Sequence, residues 1–371
     1  MGRPTLNSVA EAAAVSRQTV SNVINSPEVV SPETRERVLA AIERLGYRPN
    51  TAARQMRTTR SQIIGLCIPP SGNGVSGVVL DQFLHSLTAT AERYDHRIML
   101  FTAADDEAET RAYADLIASV GIDGFVLTNT HHDDLRTRWL LDRELPFVTF
   151  GRPWGAEDTH PWVDVDGAAG TRLATDHLVR QGHRRIAFVG WPEGSGSGDD
   201  RRAGWAAGLA AAGLGEGPQA AVYDGVEGGR SAAARLLDAS GSAGGAAGGA
   251  ANLRGGGPAG GVGGGAANPP GGDHPAIAAG APTAFVCASD SLALGVTAEL
   301  RDRGIRPGAD AAVIGFDDTP TASVLGLSSV AQPIADVAAE CVRQLRAILR
   351  GDPAAEPATT LFTPHLVLRT T

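Results

Sequence analysis

Within the stretch VSRQTVSNVIN, residues 15–25, Arg17, Gln18, Ser21 and Asn22 fall inside six consecutive positions. At 100° per residue of helix these four side chains cover one continuous arc, while Val20 and Val23, three apart, point the other way. Such a helix packs on two valines and offers a partner a face made of hydrogen-bonding groups. A polar stripe is more commonly just a solvated helix face, so the surroundings must separate the two readings. Two other stretches invite chemistry. His131, His132, Asp133 and Asp134 offer metal-ligating groups, but neighbouring histidines on a loop seldom converge on one ion, so a solvated loop and no metal are expected. GWPEGSGSGDD, residues 190–200, is glycine-rich, but it lacks both the GxGxxG spacing and a phosphate-binding lysine. No nucleophile with an adjacent base is apparent, so the chain is not expected to be an enzyme.

The polar helix sits among clear start and stop signals. Thr5 is placed to cap a first helix that packs Leu6, Val9 and Ala10, and the turn AAAVS leads into the polar helix. A third helix starts at Ser31 with Pro32 and Glu33 in its first turn. It runs through Val38, Leu39, Ile42 and Leu45 and stops at Gly46. Two helices joined by a tight turn and closed by a third form a helix-turn-helix. From residue 62 onward the pattern changes to short aliphatic runs such as IIGLCIP, DGFVLT, RIAFVGW, TAFVCAS and AAVIGF, alternating with amphipathic helical stretches. That alternation predicts doubly wound parallel sheets. The strands are too many for one compact sheet, so two similar lobes are expected, with ligand bound outside the carboxyl ends of the strands. Residues 240–282, dominated by Gly and Ala without a hydrophobic period, are expected to be a disordered insertion, because they bury too little apolar surface to offset ordering entropy.

Charge is distributed in a way that fits this division. The chain of 371 residues has a formal net charge of -9, which taken alone opposes a nucleic-acid partner. Its first sixty residues, however, hold nine Arg against five Asp or Glu. A basic end on an acidic body marks a local anion-binding module. Cys67, Cys287 and Cys341 are too few and too scattered for a disulfide framework or a metal site, and read as thiols of a reducing compartment. No stretch approaches the ~20 apolar residues of a membrane span, and the N-terminus carries no apolar signal core. A soluble, cytoplasmic protein without membrane association is expected.

The string TLNSVAEAAAVSRQTVSNVIN, followed by VSPETRERVLAAIERLGYRPNTAARQM, resembles the headpiece of the lactose/galactose repressor family of bacterial transcription regulators. The strings IIGLCIP, DGFVLT, LPFVTFGRP, VDVDGAAGTRLATDHLVRQGHRRIAFVG, DRRAGW, CASDSLALG, VIGFDD and TPHLVLR continue the likeness in order. The resemblance implies an α/β chain with an all-α helix-turn-helix headpiece over residues 1–49 and a hinge helix or linker over 50–61. The two-lobed core, like a periplasmic binding protein, then covers 62–371. Its N-lobe would comprise about 62–163 and 332–361, and its C-lobe about 164–331 and 362–371. The polar helix would enter the major groove with Arg17, Gln18 and Asn22 toward base edges, since Arg pairs bidentately with guanine and Gln or Asn with adenine. Ser16, Thr19 and Ser21 suit phosphate contacts. In the hinge, Asn50 and Ala53 would face DNA and Met56 would wedge into a minor-groove step. Ala14 stands where the family usually has Gly, so a positive φ there would cost about 1 kcal/mol.

In the core, Arg201 of DRRAGW aligns with the family's sugar-contacting arginine and Asp317 of GFDD with its acidic partner. A guanidinium and a carboxylate suit vicinal hydroxyls, because one donates fixed hydrogen bonds and the other accepts them. Arg152, Trp154, Trp191, Ser289 and Asp290 complete the expected effector site, with either tryptophan a stacking face for a pyranose. Several relatives carry an Asp where this chain has Gly151 followed by Arg152, so contacts at that point cannot be transferred from them. The resulting expectation is a repressor of carbohydrate-utilisation genes that binds palindromic double-stranded operator DNA as a homodimer. A small sugar-like effector would control it, and no cofactor is expected. The chain ends at LVLRTT without leucine heptads, so the tetramer-forming tail of some relatives is not expected. The rival reading, a sugar-binding transport component of the same two-lobed fold, would require a secretory signal and no helix-turn-helix.

Overall fold

The computed structural model describes residues 4–47, 60–68, 76–155, 159–242, 277–352 and 358–371. The chain divides into two compact units, Met1–Ser61 and Gln62–Thr371.

The first unit is a three-helix cluster built from the expected signals. Helix α1 (Leu6–Ala12) begins at Thr5, whose hydroxyl accepts from Ser8 N at 3.2 Å while the Ser8 hydroxyl accepts from Thr5 N at 3.2 Å, a reciprocal cap. The chain then turns through Ala14 at φ 52°. Helix α2 (Arg17–Asn25) starts at Ser16, whose hydroxyl accepts from Thr19 N at 3.0 Å. A single 3₁₀ turn, Pro27–Val29, leads to α3 (Pro32–Leu45), which ends at Gly46 in the left-handed region. Ser31 precedes α3 in extended conformation, but its hydroxyl donates to Thr34 Oγ1 at 3.0 Å instead of accepting from the backbone. Val9, Ala13, Val20, Val23, Val38, Ala41 and Tyr47 form the core. Leu39, expected on the inner face of α3, is 45% exposed. Arg37 Nε donates to Ala13 O at 3.0 Å, so α3 also satisfies a carbonyl left open at the end of α1.

In the second unit the elements follow as β1 (Ile63–Ile68), α4 (Ser76–Glu92), β2 (Arg97–Thr102), α5 (Asp106–Ser119), β3 (Gly124–Leu127), α6 (Leu135–Leu141), β4 (Phe147–Phe150) and β5 (Trp162–Val165). Then come α7 (Gly167–Arg180), β6 (Ile186–Gly190), α8 (Ser197–Ala211), β7 (Gln219–Ala221), α9 (Val226–Ser242), β8 (Ala284–Cys287), α10 (Asp290–Asp302), β9 (Ala312–Asp317), α11 (Pro320–Val324) and β10 (Ser328–Ala331). The unit finishes with α12 (Ile334–Arg350), β11 (Thr359–Phe362) and β12 (His365–Val367). Two six-stranded sheets result, in the orders β11-β5-β4-β3-β1-β2 and β12-β10-β9-β8-β6-β7. Among the described residues pairing is parallel except for β12, which lies antiparallel to β10 at an edge. Strands such as β3 (GFVL) and β8 (AFVC) are buried along their whole length, as parallel strands covered by helices on both faces must be.

The chain passes between the lobes after β5, after β10 and between β11 and β12. The first sheet therefore keeps its chain through Val165, and α12 returns to it through a core that includes Val337, Cys341, Val342 and Leu345. Part of the expected Gly/Ala insertion is ordered. Helix α9 extends to Ser242, and Ile277 and Ala281, 6% and 0% exposed, join the C-lobe core. Ile277 supplies an apolar anchor that composition over the longer window obscured. Residues 243–276 lie outside the described residues.

Candidate functional site

Two surfaces carry functional chemistry, one in each unit. In the first, burial of Val20 and Val23 fixes which side of α2 faces out, and Arg17 and Gln18 are exposed on the other side. Gln18 Nε2 donates to Asn22 Oδ1 at 2.9 Å, one helical turn away, which aligns two amide groups along the outer face. Thr19 is half-buried, and its hydroxyl lies 2.8 Å from that of Ser16, which caps the helix. These two side chains hold the first turn as well as offering oxygens outward. Ser21 and Asn22 are half-buried. Asn50, Ala53 and Met56 lie outside the described residues.

In the second unit, strand ends from both lobes enclose a cleft of about 890 Å³, its open mouth included. Of the seven expected effector residues, Trp154, Trp191, Arg201 and Asp317 line it. Arg201 is 8% exposed. Its guanidinium lies 3.7 Å from the ring centroid of Phe316 and 5.3 Å from that of Trp191. Arg201 Nη1 donates to Ala288 O at 2.5 Å and stands 3.7 Å from Asp317 Oδ1. Among the described residues its buried Nε has no hydrogen-bond partner. Unpaired buried donors are costly, and the residue that carries this one lines the cleft.

Asp317 ends β9 at φ 109° and Asp318 follows at φ 52°, a strained pair of the kind that clusters at ligand sites. Asp317 Oδ1 accepts from Gln332 Nε2 at 2.7 Å, which ties the C-lobe carboxylate to the chain crossing after β10. Burial pushes the Asp317 carboxyl up to about 8; Arg201 opposes this, while Asp290 and Asp224 add to it.

Ser289 and Asp290 stand behind the wall instead of in it. Ser289 Oγ donates to Asp224 Oδ1 at 2.6 Å and caps α10 by accepting from Leu292 N. Asp290, 1% exposed, accepts from Thr319 N at 2.6 Å and from Ser329 Oγ at 2.5 Å. It holds the start of α11 against the sheet, and burial raises its carboxyl as well. Arg152 also lies outside the cavity wall. Its Nε donates to Asp164 Oδ2 and its Nη2 to Asp200 Oδ2, both at 2.8 Å. Asp164 belongs to the N-lobe sheet and Asp200 to the C-lobe helix α8, so Arg152 links the lobes. Although burial disfavours its charge, the two carboxylates hold its pKa above the usual value.

Asp164, Asp200, Asp224 and Gln332 line the cleft but were not singled out from sequence. Each stands at a strand end or at the start of a helix, where ligands of this architecture bind. Asp200 precedes Arg201 directly, so the string GDDRRAGW held a usable signal.

The 131–134 loop is more structured than expected. His131, Asp134 and Asp106 bring ligating atoms within 4.8 Å of one another, but a guanidinium already occupies this cluster. Arg136, 5% exposed, donates to both oxygens of Asp134, at 2.9 and 2.7 Å, and to Glu109 Oε2 at 3.1 Å. Asp134 thus buttresses the end of β3 instead of facing solvent.

A helix-turn-helix carried with a two-lobed, ligand-binding core defines a class of regulator, and the chain's likenesses agree. Residues 5–50 match the bacterial regulatory proteins of the lacI family, residues 79–240 the periplasmic binding proteins and sugar binding domain of that family, and residues 175–371 a periplasmic binding protein-like domain. The chain is 32% identical over 379 residues to the transcriptional regulator CelR of Thermobifida fusca, covering 99% of this chain and 98% of that one. Its structure resembles a solved CelR–cellobiose complex at TM-score 0.67 and 28% identity, with 99% of each chain covered. It also resembles a lac repressor dimer bound to operator and the anti-inducer ONPF, at TM-score 0.75 and 25% identity, covering 100% of this chain and 99% of that one. The chain belongs to the lacI family of bacterial regulatory proteins and is a helix-turn-helix transcriptional regulator. Among the described residues no helix is long and apolar enough to cross a membrane.

Proposed function

We propose that this regulator represses carbohydrate-utilisation genes from a palindromic operator, bound as a homodimer, and that a neutral sugar in the cleft alters its affinity for DNA. The observation that supports the effector class is the Arg201–Asp317 pair, 3.7 Å apart in the cleft wall with Arg201 Nε unpartnered. A fixed donor beside an acceptor matches two adjacent hydroxyls. Arg17, Gln18 and Asn22 read bases, and Ser16, Thr19 and Ser21 meet phosphates. Asn50, Ala53 and Met56 complete the DNA contacts. Because CelR has been solved with cellobiose, a disaccharide of that size is the first effector to try. The test is titration of operator DNA at fixed salt with the full chain and with Arg201→Ala, with and without disaccharide. The full chain should change its DNA affinity on adding sugar. The variant should bind DNA equally but not respond, because an effector acts only through its differential affinity for two conformations. An unchanged response in the variant refutes the assignment of Arg201.

A further inference from the structure

The cleft adjoins a second cavity in the N-lobe, of about 670 Å³ with its mouth included, lined among others by His131, Asp133, Thr137 and Arg138. The two cavities share two wall residues, Thr130 and Trp154. Each of these side chains is seated against a glycine. A Cβ on Gly196, which belongs to the C-lobe turn before α8, would lie 2.7 Å from three atoms of the Trp154 pyrrole ring, and a Cβ on Gly151 would overlap the Thr130 hydroxyl. The Trp154 ring also carries the Arg152 guanidinium at 4.6 Å from its centroid. With Gly196 packed on it and Arg152 beside it, Trp154 in this conformation is a partition between two chambers more than an open stacking platform for sugar. The far chamber has hydroxyl, imidazole, carboxylate and guanidinium groups, the same kinds of donor and acceptor that suit polyols.

We infer that Trp154 is a length gate: it ends the effector cleft, and the chamber beyond it is a second carbohydrate subsite that takes the next sugar unit when the ring leaves Gly196. This rests on the carbohydrate reading of the cleft. Ligands short enough to fit before Trp154 are bound with the lobes joined through Trp154 and Gly196. A longer oligosaccharide must displace that contact, so it is bound less well than its contacts alone would allow.

The experiment measures, by calorimetry on the full chain, affinities for cello-, malto- and galacto-oligosaccharides of two, three and four units. Trp154→Ala removes the partition, and Gly196→Ala pushes the ring off its seat without deleting it. In each variant the affinity for the trisaccharide relative to the disaccharide should rise by about tenfold or more. Adding Thr137→Trp to Trp154→Ala fills the chamber and should return that ratio to its original value. If the unaltered chain binds a disaccharide and the ratio stays within twofold in both variants, the gate is refuted while the carbohydrate reading stands. If the unaltered chain binds none of the three series, the carbohydrate reading itself falls, and the gate with it.

Discussion

Ala14 and Gly46 form a matched pair from which the cost of one unusual residue can be measured. Both close a helix in the same way. Ala14 N bonds Glu11 O and Val15 N bonds Ala10 O, at 3.2 and 3.0 Å; Gly46 N bonds Glu43 O and Tyr47 N bonds Ile42 O, at 3.1 and 3.0 Å. Their φ angles are 52° and 61°, yet one is an L residue and the other glycine. The left-handed region costs an L residue about 1–2 kcal/mol. Glycine gives back about 0.4–1 kcal/mol through its freer unfolded chain. Ala14→Gly should therefore stabilise the headpiece by about 0.5–1 kcal/mol, a rise of a few degrees in Tm for so small a unit. Gly46→Ala should destabilise it by a similar amount, and through conformation, since among the described residues nothing lies within 4 Å of the added Cβ. The assay is thermal unfolding by circular dichroism of the fragment 1–61, a compact unit with its own core. A fall in Tm for Ala14→Gly would refute the reasoning. So would no change in either variant, because the turn would then not be held at positive φ.

Three further outcomes are expected. Arg17→Ala should weaken operator binding by about 1–3 kcal/mol and relax preference at one base pair of each half-site; competition with single-base operator variants checks this, and a uniform loss across sequences would make Arg17 a phosphate contact. Because the Asp317 carboxyl is pushed up to about 8, the folded protein retains a proton that the unfolded chain loses near the ordinary carboxylate value. The contribution of Asp317 to stability should accordingly fall as pH rises from about 4 to 8, a slope that Asp317→Asn should remove from denaturation curves. Sugar hydroxyls donate best to the ionised form, so effector affinity should also rise across pH 6–8 by up to about tenfold per unit, and a flat profile would place the hydroxyl contact elsewhere. Ile277→Ala should cost about 2–5 kcal/mol as a core truncation, measured by urea denaturation, although the residue stands in a tract dominated by Gly and Ala.

What the sequence determined by itself was local. The cap at Thr5, the stop at Gly46 and the two inward valines of α2 follow from hydrogen-bonding and periodicity rules that act within one helical turn, and the structure realises them; the cap expected of Ser31 is not made by its hydroxyl. The alternation of aliphatic strands with amphipathic helices likewise specified doubly wound sheets, because a strand covered on both faces has no polar side to show. Arg201 and Asp317 were reached through resemblance, and they line one cleft. Tertiary structure decided the rest of the site. Arg152 and Asp200 are 48 residues apart, and Ser289 and Asp224 are 65, so no local rule could reveal that these side chains pair. Arg152 and Ser289 are held outside the cavity wall by such pairings and Asp290 by Thr319 and Ser329, while Asp164, Asp200, Asp224 and Gln332 line the cleft. Ile277 was hidden for the same reason. Composition averages over a window, whereas burial depends on which neighbours the whole chain brings to a single side chain.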